Sequence, residues 1–230
     1  MYRTLFLAIV AAASVSAATT YTFSSTAYNA PSNFTNCTTG PCSNYSTAMS
    51  ITGSFTVASA LGPNFSGATD ISSQVTAYSF TDGVNTYTNT DPNARLYQFN
   101  VATDGSGNIS VASLLVEKWQ SGSSPHAVGN RVAVLNLNGP TINQAENNLS
   151  CTVVGGGTGS GVTDLCVTAT NDAASSIATA SQGTWTGGGS SGNPGGTPTP
   201  VPTLGEWGMI CLAGLLVVFA GYRLRRQATA

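Results

Sequence analysis

Over most of the chain, apolar and polar positions alternate in short stretches, the period-two mark of half-buried strands. The pattern is cleanest where Met49, Ile51, Gly53, Phe55 and Val57 interleave with polar or small residues. Leu61-Gly62-Pro63-Asn64 ends that run, because proline withholds an N–H and Gly and Asn favour turns. Strands are predicted at 20–23, 75–80 and 84–88, the last two flanking Thr81-Asp82-Gly83, a Gly-containing hairpin signal. Tyr97, Phe99 and Val101 alternate next, Asp104-Gly105-Ser106-Gly107-Asn108 makes a second turn, and strands follow at 109–116 and 131–137. Residues 140–149 predict a short helix, since Thr141 and Gln144 stand at capping-box spacing. Short strands at 152–154, 165–168 and 179–185 close the series, and 30–46 reads as a turn-rich loop. Regularly spaced strands rich in Thr, Val and aromatics predict an all-β fold. The expected form is a single antiparallel β-sandwich-like ectodomain over 19–186.

Both ends of the chain break the pattern. Residues 1–18 have the order of a secretory signal peptide. Arg3 is its basic start, Leu5 to Ala13 its apolar stretch, and Val15-Ser16-Ala17 or Ser16-Ala17-Ala18 its small-residue cleavage site. A membrane span fits less well, because the apolar run is short and Thr and Ser follow at once. At the other end, 187–200 is a Gly/Ser linker passing into Pro-Thr, a spacer composition. An uncharged run over 207–222 precedes a basic tail, 223–230, with Arg223, Arg225 and Arg226. That order halts a chain in a bilayer with its basic end in the cytoplasm. As a helix the run would rise about 24 Å, short of roughly 30 Å of hydrocarbon. Arginine snorkelling and bilayer thinning make up such a deficit. A short span suits an anchor that is held briefly and then cut; a permanent single-pass anchor is the alternative. A lipid-anchor signal would end in its apolar tail, whereas here three arginines lie beyond it.

Ahead of the span stands the octet Val201-Pro202-Thr203-Leu204-Gly205-Glu206-Trp207-Gly208. Proline fixes φ and disfavours helix at the residue before it, so this backbone stays extended where a processing enzyme would grip it. Trp207 is placed to sit at headgroup depth. Octet, short apolar helix and arginine cluster together resemble the IPTL-CTERM sorting signal, a branch of the PEP-CTERM type on exported proteins of Gram-negative bacteria. Pro202, Thr203, Leu204, Glu206, Trp207 and Gly208 match its pattern, while Val201 replaces the commoner Ile and Gly205 the commoner Ser. The resemblance covers only the tail. It implies a transient stay in the inner membrane and an exosortase-type processing enzyme as partner. It also implies a destination at the cell surface or in the extracellular matrix, often alongside exopolysaccharide. It implies nothing about what the ectodomain binds.

Between signal and tail, 19–200 carries eight acids and three bases, a net charge near −5 with few charges of either sign. So acidic and base-poor a domain has no electrostatic footprint for nucleic acid or for anionic lipid. Of five cysteines, Cys211 lies in the apolar run and four form two near pairs, Cys37/Cys42 and Cys151/Cys166. In an exported chain these read as disulfides, with the sequential pairing Cys37–Cys42 and Cys151–Cys166 preferred among three possible connectivities. Zinc fits less well, because the spacings are wrong and the chain has one histidine.

Candidate chemistry is thin. A nucleophile–histidine arrangement would have to run through His126, whose Ser, Pro, Gly and Asn neighbours predict an exposed loop. Gly188-Gly189-Ser190-Ser191-Gly192 matches a nucleophile pattern but lies in linker, not at a strand-to-helix turn. Asp82 and Asp104 are turn residues. Asp104 to Asn108 lacks the rest of a calcium loop, and 155–161 has no Lys-Ser/Thr to make a phosphate cradle. Six Asn-x-Ser/Thr sequons follow from a Thr/Ser/Asn-rich composition. Trp119, at a strand end among polar residues, is a candidate sugar-stacking platform, with core packing as its alternative and exposed tyrosines as a further platform. The sequence therefore predicts a non-enzymatic surface protein with a structural or adhesive domain and no cofactor or metal. A module binding the extracellular polysaccharide is the alternative, and a glycan hydrolase stands behind it.

Overall fold

The computed structural model describes residues 18–65, 69–138, 142–156 and 163–188. The expected signal peptide, most of the linker, the sorting octet and the 207–222 span lie outside the described residues.

Thirteen strands follow one another in the described chain: β1 (Thr19–Ala27), β2 (Asn29–Ser32), β3 (Ser50–Val57), β4 (Thr69–Asp70), β5 (Val75–Thr81), β6 (Thr86–Thr88), β7 (Ala94–Thr103), β8 (Ile109–Trp119), β9 (Arg131–Asn138), β10 (Ile142–Gly155), β11 (Leu165–Thr170), β12 (Ser176–Ala180) and β13 (Gly183–Thr186). Among the described residues the one helical element is a 3₁₀ turn, Ser72–Gln74, and no helix is long and apolar enough to cross a membrane. A five-stranded sheet has the order β13-β1-β3-β5-β6. A larger sheet runs β2-β12-β10-β9-β8-β7-β4, with β11 added beside β10. The pairings are antiparallel throughout.

The inner faces meet in one aromatic-rich core. Phe55 of β3 stacks on Tyr21 of β1 and meets Phe99 of the opposite sheet edge-on at 4.5 Å. Ile51, Phe80, Leu114, Val116, Leu135 and Leu137 fill around them. The period-two expectation for Ile51, Gly53, Phe55 and Val57 holds, with Gly53 included for a steric reason. In register it lies between Phe23 and Phe80, and a Cβ there would run into the Phe80 ring and the Ser79 carbonyl.

Two expectations are corrected. Residues 142–149 are not helix but the first half of β10, hydrogen-bonded to β9 on one side and β12 on the other. The capping-box spacing is a local preference, and two flanking ladders override it. The strand expected over 179–185 is two strands in different sheets, with the chain crossing between them at Ser181 and Gln182. The predicted hairpin of β5 with β6 forms, and so does that of β7 with β8.

β10 is bulged. Its register with β9 shifts between Glu146 and Leu149, and Asn148 takes φ +61° there. Beyond the bulge β10 pairs with β11. The Cys151–Cys166 disulfide ties these two strands together, with the Cα atoms 5.7 Å apart. Trp119, Val132, Leu149, Cys151 and Cys166 form a second, smaller core. They lie on the face of the larger sheet turned away from the first core, since their neighbours Val116 and Ala133 point into it.

Candidate functional site

Strand register sets the chemistry of that outer face. Arg95 of β7, Glu117 of β8, Val134 of β9, Glu146 of β10 and Ile177 of β12 stand in one row across five strands. Two strand spacings separate the glutamates, so their backbones lie about 10 Å apart. Glu117 is 3% exposed, and its Oε2 accepts the Cys166 N–H at 3.0 Å. Burial pushes its carboxyl up to about 7, against the opposing pull of that N–H and of Arg95. Burial also raises the Glu146 carboxyl, with the Gln144 amide, which donates to Oε1 at 2.9 Å, pulling the other way. Both acids line a cleft of about 510 Å³ walled by Cys166, Val167, Ala169, Thr170 and Asn171. In the sequence Glu117-Lys118 reads as the polar end of a strand, and nothing local signals a buried carboxyl.

A second polar cluster lies beside the small core. His126 is not on an exposed surface as its neighbours suggested; it is 5% exposed and stacked on Trp119 with ring centroids 4.3 Å apart. Its Nδ1 and backbone N–H meet the Asp164 carboxylate at 2.7 and 2.8 Å. Ser124 and Arg95 donate to the same carboxylate at 3.0 and 3.2 Å. Burial pushes the Asp164 carboxyl up, but the His126 and Ser124 hydrogen bonds outweigh it and hold it at about 2. His126 Nε2 is buried without a hydrogen-bond partner among the described residues, and the serine of the cluster serves Asp164 rather than the imidazole. The cluster thus pins the 120–130 loop to the residues before β11.

Trp119 is 2% exposed and donates its indole N–H to the Asp164 carbonyl at 3.0 Å. It presents no open ring face, so the stacking platform expected there is replaced by core packing.

The turn carboxylates divide. Asp104 accepts the Ser106 and Asn108 N–H groups at 2.8 and 2.9 Å and closes its exposed hairpin turn. Asp82 is fully buried. Its carboxylate accepts the Tyr45 and Tyr87 hydroxyls at 2.8 Å and the N–H groups of Val84 and Asn85, while its carbonyl accepts the Tyr28 hydroxyl. Amides extend the network. Asn147 Oδ1 accepts from Asn85 and Gln120, and Asn147 and Asn148 donate to carbonyls of the 39–43 loop. The Cys37–Cys42 disulfide closes that loop, so both expected cysteine pairings are present. Among the described residues no group of three or more His, Cys, Asp or Glu is placed to hold a metal ion.

Val201 to Gly208, Arg223, Arg225 and Arg226 lie outside the described residues. For them sequence comparison speaks: the family model of the IPTL-CTERM motif matches residues 199–226. This C-terminal sorting signal of the PEP-CTERM type implies export, surface localisation and processing by an exosortase-type enzyme. No curated protein and no solved structure matches the chain.

Proposed function

We propose that this protein is a component of the cell surface or extracellular matrix. Its tail delivers it to an exosortase-type enzyme after a brief stay in the inner membrane, and its β-domain plays a structural or adhesive part. The observation carrying this reading is the sorting motif at 199–226 joined to a charge-poor domain closed by two disulfides. Such a domain must persist outside the cell without chaperones, and covalent closure of loops lowers the entropy of its unfolded chain. Deleting Val201 to Ala230 should send the domain into the medium; unchanged surface retention would remove the sorting claim. No cofactor enters this reading.

A second reading, a module that binds the extracellular polysaccharide, loses Trp119 as its platform but gains the Glu117–Glu146 cleft. Two carboxyls across a cleft are also the first requirement of a glycosidase. New reducing ends released by the wild type but not by Glu117→Gln would establish hydrolysis.

A further inference from the structure

The cleft on the outer face of the larger sheet has a composition that selects its ligand. Val134, Leu149 and Ile177 give it an aliphatic floor, and Val167, 44% exposed, stands at its rim. Glu117, Gln144, Glu146, Thr170 and Asn171 supply the polar groups around that floor. A few converging polar groups over apolar lining, within roughly 300–1,000 Å³, is the usual make-up of a small-ligand site.

Charge narrows the class. No Lys, Arg or His is among the lining residues, and two carboxyls face the space, so phosphate, sulfate and uronate groups are repelled. What remains is carboxyl, amide and hydroxyl. Amides and hydroxyls both give and take hydrogen bonds, and a carboxyl with its proton does so too. With burial holding Glu117 at about 7, that carboxyl samples both forms near neutrality. The ring hydroxyls of a neutral sugar have the same double character, and the C–H faces of the ring suit an aliphatic floor.

Glu117 offers the cleft one carboxyl oxygen. It is nearly fully buried, yet the fold uses only its Oε2; Oε1 takes no hydrogen bond from the described residues. Oε1 is not among the enclosed polar atoms that lack a partner, so the second oxygen is open to the cleft that Glu117 lines and can meet a ligand hydroxyl there.

We propose that this cleft binds a segment of a neutral saccharide chain, with Glu146, Gln144 and Asn171 engaging ring hydroxyls over Val134 and Glu117 receiving one at the cleft's inner end. The assignment rests on the glycan-binding reading of the ectodomain and gives that reading a place and a ligand class. It also makes Glu117 a binding residue whose burial serves the site.

The test uses the full chain, tail included, purified in detergent. It is titrated by fluorescence anisotropy with labelled neutral oligosaccharides of glucose, galactose, mannose and N-acetylglucosamine, and with an oligogalacturonate as acidic control. At least one neutral oligomer should bind saturably and the oligogalacturonate should not. Glu146→Ala and Gln144→Ala should each weaken binding roughly tenfold, the scale of one good hydrogen bond. Val167→Lys, at a rim position 44% exposed, should weaken it too. The outcome does not depend on Glu117→Gln, so a failure of that variant to fold leaves the test intact. Absence of saturable binding by every neutral oligomer overturns the site and the glycan reading together. Binding that survives Glu146→Ala, Gln144→Ala and Val167→Lys unchanged keeps the reading and overturns the cleft.

Discussion

Glu117 couples the stability of the domain to pH. In the unfolded chain its carboxyl titrates near 4.5; in the fold burial holds it at about 7. Below 4.5 it is protonated in both states and folding loses nothing. As pH rises between the two values the unfolded chain ionises first, so stability falls, by roughly 3 kcal/mol once pH exceeds 7. Glu117→Gln carries no titrating group and should lose this slope. Urea midpoints at pH 5 and pH 7.5 will separate the two proteins, and parallel profiles would show the carboxyl to be unperturbed. Asp164 has the opposite sign. Held at about 2, it stabilises the fold above the ordinary carboxylate range and loses that contribution as pH falls towards 2. Asp82 belongs to a different class, because its carboxylate serves two tyrosine hydroxyls and two backbone N–H groups. Asp82→Ala should cost about 3 kcal/mol or more in chemical denaturation, since it strands several buried donors at once, whereas Tyr87→Phe should cost about 1 kcal/mol. Neither Glu117 nor Asp82 was legible as buried. Asp82-Gly83 reads as a turn, and is one; that the turn is driven into a cage of Tyr28, Tyr45 and Tyr87 depends on residues far apart in the chain. His126 misled for the same reason, since its loop-forming neighbours say nothing of Trp119 and Asp164 closing over it.

At the scale of elements, legibility follows the chemistry of the inward positions. β3 was readable because Ile51, Phe55 and Val57 point inward and their neighbours are polar. In β10 the inward row is Asn143, Ala145 and Asn147, all fully buried, while Gln144 and Glu146 face out. Alternation persists there, but in burial rather than in hydrophobicity, since two of the three inward residues are amides, so a pattern of apolar residues cannot register it. The cleft inherits this blindness, since β10 supplies Gln144, Glu146 and Leu149. The cysteine pairs, by contrast, were legible from spacing and compartment alone. Their energetic weights should differ. By loop entropy the separation of 15 residues in Cys151–Cys166 is worth about 3 kcal/mol and the separation of 5 in Cys37–Cys42 about 2 kcal/mol. The paired Ser variants of 151 and 166 should exceed that figure and also disturb the cleft, because Cys166 carries the N–H that holds Glu117. Denaturant midpoints of the two double variants, compared with the wild type, give the order; equal losses would mean that β11 stays docked without its covalent tie.

For the whole molecule the decisive question is where the mature chain ends. The fold reaches past its last strand: Gly188 has φ +79°, and a Cβ there would overlap the Tyr21 ring. Gly187, at φ +92°, is likewise pressed on the Thr20 carbonyl. A protease needs extended, accessible backbone, which these two glycines do not offer while the domain is folded. The sorting motif begins at 199, and its Val201-Pro202 pair is of a kind that disfavours helix. Cleavage should therefore fall after Gly188 and ahead of the apolar run, leaving β13 and both glycines in the product. Intact mass of material recovered from cells would show this directly, as a chain lacking the signal and ending between 188 and 206. The same sample should gain the mass of four hydrogens on reduction of its two disulfides. Product that retains Arg223 to Arg226 would mean a permanent anchor, and then the short span, not an enzyme, would be what holds the domain at the surface.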